Sequence, residues 1–191
     1  MVILINGAFG IGKTTVSRLL SRKLPGSVIF DPEIIGLVLQ RGRRMLGKPL
    51  EDFQDLPSWR PLFILGVRAA AALRSHVIVP IAISNPSYLR EIRDGIAGFE
   101  PRVLHFCLVA PVAVVNERIR RRGGNSMDGD MQWQYSRSAE CCSVHDGPDF
   151  AEQVSTGDLT ADEVAEYLLT QLPADVSPRR DATENHSPNL T

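Results

Sequence analysis

Eight residues near the start of the chain, Gly7-Ala8-Phe9-Gly10-Ile11-Gly12-Lys13-Thr14, match the pattern of a glycine, four free positions and then Gly-Lys-Thr. The chemistry of that pattern is phosphate binding. Glycines at 7, 10 and 12 let the backbone curl around a phosphate chain with its N–H groups turned inward, and the helix that follows adds its positive end. In such a loop Lys13 reaches the β- and γ-phosphate oxygens and the Thr14 hydroxyl is one ligand of Mg2+, with Thr15 beside it. The whole stretch from Gly7 through Ala8, Phe9, Gly10, Ile11 and Gly12 to Thr15 is thus a candidate nucleotide contact.

The elements around the motif have the required order. Val2-Ile3-Leu4-Ile5 reads as a buried parallel strand, and from Lys13 the apolar positions Val16, Leu19, Leu20 and Leu24 fall on one helical face. A second apolar run, Val28-Ile29-Phe30, stops at Asp31-Pro32. That places Asp31 at the C-terminal end of a strand, on the side where ligands bind in open parallel α/β sheets; the same residue suits an N-cap for the helix that follows. Pro57-Ser58-Trp59-Arg60 opens a long apolar helix, and Trp59 with Arg60 is a candidate acceptor contact or a packed indole beside a surface arginine. A third strand at Val77-Ile78-Val79 leads to Ser84-Asn85-Pro86, where no carboxylate follows to hold magnesium.

Further along, Arg102–Val109 reads as a fourth strand and Pro111 opens a helix. At 100° per residue, Arg118, Arg121 and Arg122 share about a hundred degrees of arc, with Arg120 on another side. Arginines there suit phosphate and base contacts, and the glycine-rich stretch from 123 to 130 is a candidate flap to carry them inward. Arg137 is a possible second flap contact. Phe150–Val154 is the expected fifth strand, and Thr160 with Glu163 forms a capping box for the last helix. The expected fold is a three-layer α/β P-loop NTPase with a five-stranded parallel sheet in the order 2-3-1-4-5 and helices on both faces. One domain over 1–173, with a lid at about 123–143, precedes a tail at 174–191 whose composition predicts disorder.

Composition narrows the partners. A formal net charge of -1 gives no reason to expect nucleic acid, no apolar run reaches the length of a membrane span, and the first strand begins at once, so a cytoplasmic protein is expected. Cys107, Cys141 and Cys142 form no disulfide framework, and Cys141, Cys142 and His145 have no second ligand pair at zinc spacing.

Beyond the phosphate loop, Ile5-Asn6-Gly7-Ala8-Phe9-Gly10, Asp31-Pro32-Glu33, Asp52-Phe53-Gln54, Trp59-Arg60, Ile78-Val79-Pro80 and Arg118 through Arg122 resemble the bacterial tunicamycin resistance proteins over about residues 1 to 170. The resemblance implies an ATP-binding, small-kinase-like protein that protects cells from the nucleoside antibiotic tunicamycin. More distantly the layout is similar to gluconate and shikimate kinases. It implies catalytic roles for Lys13, with Thr14 at magnesium, for Asp31 as general base or acceptor-binding carboxylate, and for Arg118 and Arg122 as lid contacts. The departure is Ser84-Asn85-Pro86, which leaves the second magnesium ligand open. Two functions follow: phosphoryl transfer from ATP to a small-molecule hydroxyl, or ATP-dependent sequestration of the drug without chemistry. A GTP switch is the weaker reading, because no Asn-Lys-x-Asp element occurs.

Overall fold

The computed structural model describes residues 1–45, 52–123, 129–150 and 152–176. The tip of the expected flap and the tail beyond 176 lie outside the described residues. Five strands, β1 (Val2–Gly7), β2 (Ser27–Ile29), β3 (His76–Pro80), β4 (Val103–Val109) and β5 (Gln153–Ser155), form one sheet in the order β2-β3-β1-β4-β5. Every pairing is parallel, as the sequence predicts. The helices are α1 (Lys13–Lys23), α2 (Glu33–Met45), α3 (Trp59–Leu73), α4 (Pro86–Ala97), α5 (Val112–Gly123), α6 (Gly129–His145) and α7 (Ala161–Thr170).

Alternation along β1 divides the core in two. Ile3 and Ile5 pack with Val16 and Leu20 of α1, Val115 and Ile119 of α5 and Leu168 of α7, while Val2 and Leu4 face Phe63 and Val67 of α3 and Ile92 of α4. A strand apolar on both faces belongs at the centre of a parallel sheet, and β1 is central. All of its residues are buried. This puts the loop after β1, the one carrying the phosphate motif, in the middle of the sheet's C-terminal edge.

Two local expectations are met and one is corrected. Thr160 and Glu163 form the reciprocal capping box of α7. Asp31 does cap α2, accepting from Glu33 N at 3.0 Å. The fifth strand, expected at Phe150–Val154, is Gln153–Ser155 instead. Phe150 belongs to a 3-10 turn at Pro148–Phe150 and is buried against the α3/α4 layer. Pairing starts only where Cys107 N donates to Glu152 O at 2.7 Å, so the register of β4 and not apolar content decides where β5 begins.

Past Pro80 the chain stays tied to β1. Ile81 N donates to Ile5 O, and the buried Asn6 amide clasps Ile83, donating from Nδ2 to Ile83 O at 3.0 Å and accepting from Ile83 N at 2.9 Å. Asn85 is spent on capping α4 through Ser87 N and Tyr88 N. Among the described residues no helix is long and apolar enough to cross a membrane.

Candidate functional site

The loop after β1 is built around two left-handed glycines, Gly10 at φ 77° and Gly12 at φ 112°. Gly12 opens α1, and a Cβ there would meet nothing within 4 Å, so its backbone faces open space. At Gly10 a Cβ would lie 2.4 Å from Cγ1 of the buried Ile119. Gly10→Ala is therefore expected to cost about 1–3 kcal/mol of stability from backbone strain alone, read as a drop in Tm by thermal denaturation.

Phe9, Gly10, Gly12, Lys13, Thr14 and Thr15 line a cavity of about 300 Å³ whose far wall is Asp31, Glu33, Pro80, Arg122, Trp133 and Gln134. Gly7, Ala8 and Ile11 stand behind it, and the Ala8 and Ile11 side chains are core. Lys13 is buried, its Nζ donating to Gly7 O and Ala8 O at 2.9 Å each and lying 5.4 Å from the Phe9 ring centroid. Burial lowers its pKa, and the Glu33 carboxylate opposes that shift. The loop thus carries a desolvated ammonium at the start of α1, whose positive end favours an anion.

Opposite stand two carboxylates. Asp31 and Glu33 flank Pro32 at the start of α2, and the Pro32 carbonyl accepts from Trp59 Nε1 at 3.3 Å. Burial pushes the Glu33 carboxyl up and the neighbouring Asp31 charge adds to that, while Lys13 and Arg122 pull it down. Glu33 is a cavity-wall residue that sequence reading gave no role. Its signal was the Asp-Pro-Glu order, which sets two carboxylates two residues apart at a helix start.

Four expected site residues take other places. Trp59 is 1% exposed and stacks among Phe53 and Phe63, so it supports the Asp31 turn from beneath and does not touch the cavity. Arg60 is held by Glu91 at 2.6 Å and Gln54 O at 2.9 Å and covers the Tyr88 ring, away from the phosphate loop. Arg118 braces the loop from outside the cavity, donating to Ile11 O at 3.1 Å and to Thr156 O at 2.6 Å. Arg121 does not join it: with Arg120 it pairs to Glu117, and these two guanidinium groups, Arg120 foremost, hold the Glu117 carboxyl down at about 2. Arg122 alone of this set lines the phosphate cavity.

Trp133 and Gln134 bring α6 into the far wall, and α6 is fastened to the loop by Ser138 Oγ donating to Phe9 O at 3.1 Å and by Trp133 meeting Phe9 in an edge contact at 5.2 Å. Arg137, expected as a flap contact, instead ties α6 to Asp52 at 2.8 Å and to Glu140 at 2.7 Å.

A model of the AAA domain family matches residues 2–137. The structure of the Deinococcus radiodurans tunicamycin resistance protein is 32% identical, covering 89% of this chain and 94% of that one, with a TM-score of 0.71. This chain belongs to the tunicamycin resistance protein family. A sugar kinase from Janibacter sp. HTCC2649 (22% identity, 93% and 95% covered, TM-score 0.63) and a gluconokinase from Sinorhizobium meliloti 1021 (19%, 89% and 96%, TM-score 0.58) share its fold. No curated protein matches the sequence.

As a tunicamycin resistance family member with a P-loop kinase fold, the chain is built for a nucleotide, and its residues also fit magnesium. Among the described residues no three His, Cys, Asp or Glu side chains converge as a metal cage. Magnesium does not require one, being held in kinase sites by one or two carboxylates, a hydroxyl and the phosphates themselves. Thr14, Asp31 and Glu33 on one cavity supply that set, although β3 is followed by no carboxylate.

Proposed function

We propose that this protein binds ATP and Mg2+ in the loop cavity and transfers the γ-phosphoryl group to a hydroxyl of a small molecule such as tunicamycin. The observation that carries the reading is the placement of Glu33. It lines both the phosphate cavity and a second hollow of about 460 Å³ that opens beside it between Phe9, Phe53 and Trp133. A half-buried carboxylate at the seam between the two hollows suits proton removal from an acceptor and is not needed for sequestration.

In this reading Lys13 and the loop N–H groups neutralise the phosphates from below, and Arg122 does so from α5. Thr14 and Asp31 would hold magnesium, which would supply charge neutralisation at the phosphate oxygens. Glu33 accepts the proton of the acceptor hydroxyl as its oxygen bonds the γ-phosphorus and the bond to the β-phosphate oxygen breaks, releasing ADP. Arg118 positions the loop from outside through Ile11 O. The division of labour assigns Asp31 to metal and Glu33 to the acceptor, because Asp31 lines the phosphate cavity alone.

Expression of the chain in a tunicamycin-sensitive bacterium tests the biological side. Protection that disappears with Lys13→Ala at unchanged protein level is the expected result, and protection retained by that variant would remove the nucleotide from the account.

A further inference from the structure

The acceptor itself can be narrowed. Trp133 is 47% exposed, unusual for an indole in a folded domain, and its only ring partner among the described residues is the edge of Phe9. It lines the phosphate cavity, the neighbouring 460 Å³ hollow and a third hollow toward Asn85 and Tyr88; no other described residue borders all three. The facing wall, Phe53, is fixed. Its ring packs on Trp59 at 5.4 Å, and α2 passes so close that a Cβ on Gly36 would lie 2.3 Å from it.

None of the polar groups around these rings is cationic. Glu33, Asp52 and the amides of Gln40, Gln54 and Gln134 line the hollow, and the Asp52 carboxylate is already taken by Gln54 N and Arg137. Arg137, which lines the third hollow, is paired with Asp52 and Glu140. Amides beside a carboxylate exchange hydrogen bonds with hydroxyl and amide groups and, with no cation among them, repel anions, and aromatic walls stack on flat or C–H-rich ring faces.

We propose, building on phosphoryl transfer as the reaction, that Trp133 is the stacking platform for the ring of an uncharged, hydroxyl-bearing acceptor, a sugar or nucleoside, and that anionic acceptors are rejected. The site thereby differs in kind from one that serves a carboxylate-bearing sugar acid.

Titration calorimetry on the ADP-loaded protein tests this without turnover, using uridine, N-acetylglucosamine and tunicamycin as uncharged probes and gluconate and shikimate as anionic ones. At least one uncharged probe should bind, and both anions should bind at least about 10-fold more weakly. Uridine against N-acetylglucosamine tells whether base or sugar supplies the stacked ring. Trp133→Ala should weaken the bound probe about 10-fold or more, the scale of a lost ring stack, while Trp133→Phe restores most of it and so separates stacking from misfolding. Anions binding as tightly as the uncharged probes, silence toward every uncharged probe, or unchanged affinity in Trp133→Ala would each overturn the assignment. The predicted binding pattern with no phosphorylated product would sink only the transfer reaction. Transfer to an acceptor whose affinity ignores Trp133 would sink only the platform.

Discussion

Replacing Lys13 by alanine is expected to lower the rate of phosphoryl transfer by at least about 10²- to 10³-fold, the effect of removing one preorganised donor from a developing charge. The loss should be in turnover, not in folding. The Lys13 ammonium is desolvated, and burial depresses its pKa. Its removal leaves Gly7 O and Ala8 O short of a donor, at about 1–3 kcal/mol for a buried unsatisfied group, but also relieves the cost of burying a charge. These terms oppose one another, so Tm should move by only a few degrees while kcat collapses. Calorimetric melting and steady-state ADP release on the same preparation check both halves.

Glu33→Gln is expected to cost about 10²- to 10⁴-fold in kcat, the range of a general base, with ATP affinity nearly unchanged. Asp31→Asn should instead raise the magnesium concentration needed for activity. The pH profile sharpens the contrast. Burial first, and the Asp31 charge after it, hold the Glu33 carboxyl above its ordinary value. A base must be deprotonated, so kcat/KM should fall as pH drops through that raised value, and this acid limb should vanish in Glu33→Gln. The sign for stability is the reverse. A carboxyl with a raised folded pKa stabilises the fold when protonated, fully below the unfolded value and progressively less as pH rises through the folded one. Glu33→Gln should therefore be slightly more stable than the native protein at neutral pH, the trade expected of a strained catalytic group. A Glu33→Gln enzyme that keeps full turnover would return the base to Asp31.

What could be read in advance was what depends on neighbours in sequence. The phosphate loop, the helix starting at Lys13, the Thr160–Glu163 cap and the arrest of β2 before Asp31 all follow from spacing within a few residues, and the strand order follows from alternating strands and helices. What escaped depends on partners far apart in the chain. The indole of Trp59 looks like a ligand contact until its donor is seen to reach Pro32 O, 27 residues away. Arg60 and Arg137 look free until Glu91, Gln54 and Asp52 are brought to them. Trp133 sits in a helix with a weak apolar stripe, so periodicity assigned it no face. Glu33 was visible as a residue but not as a seam, because the second hollow exists only once Phe53, Leu37 and Trp133 are assembled.

In the proposed reaction a phosphoryl group reaches the drug. Purified protein incubated with ATP, magnesium and tunicamycin, followed by mass spectrometry of the recovered drug, tests it most directly. A gain of one phosphoryl group is expected, matched by one ADP and absent with Glu33→Gln. Unmodified drug recovered in stoichiometric complex with the ATP-loaded protein would contradict it and establish sequestration as the function.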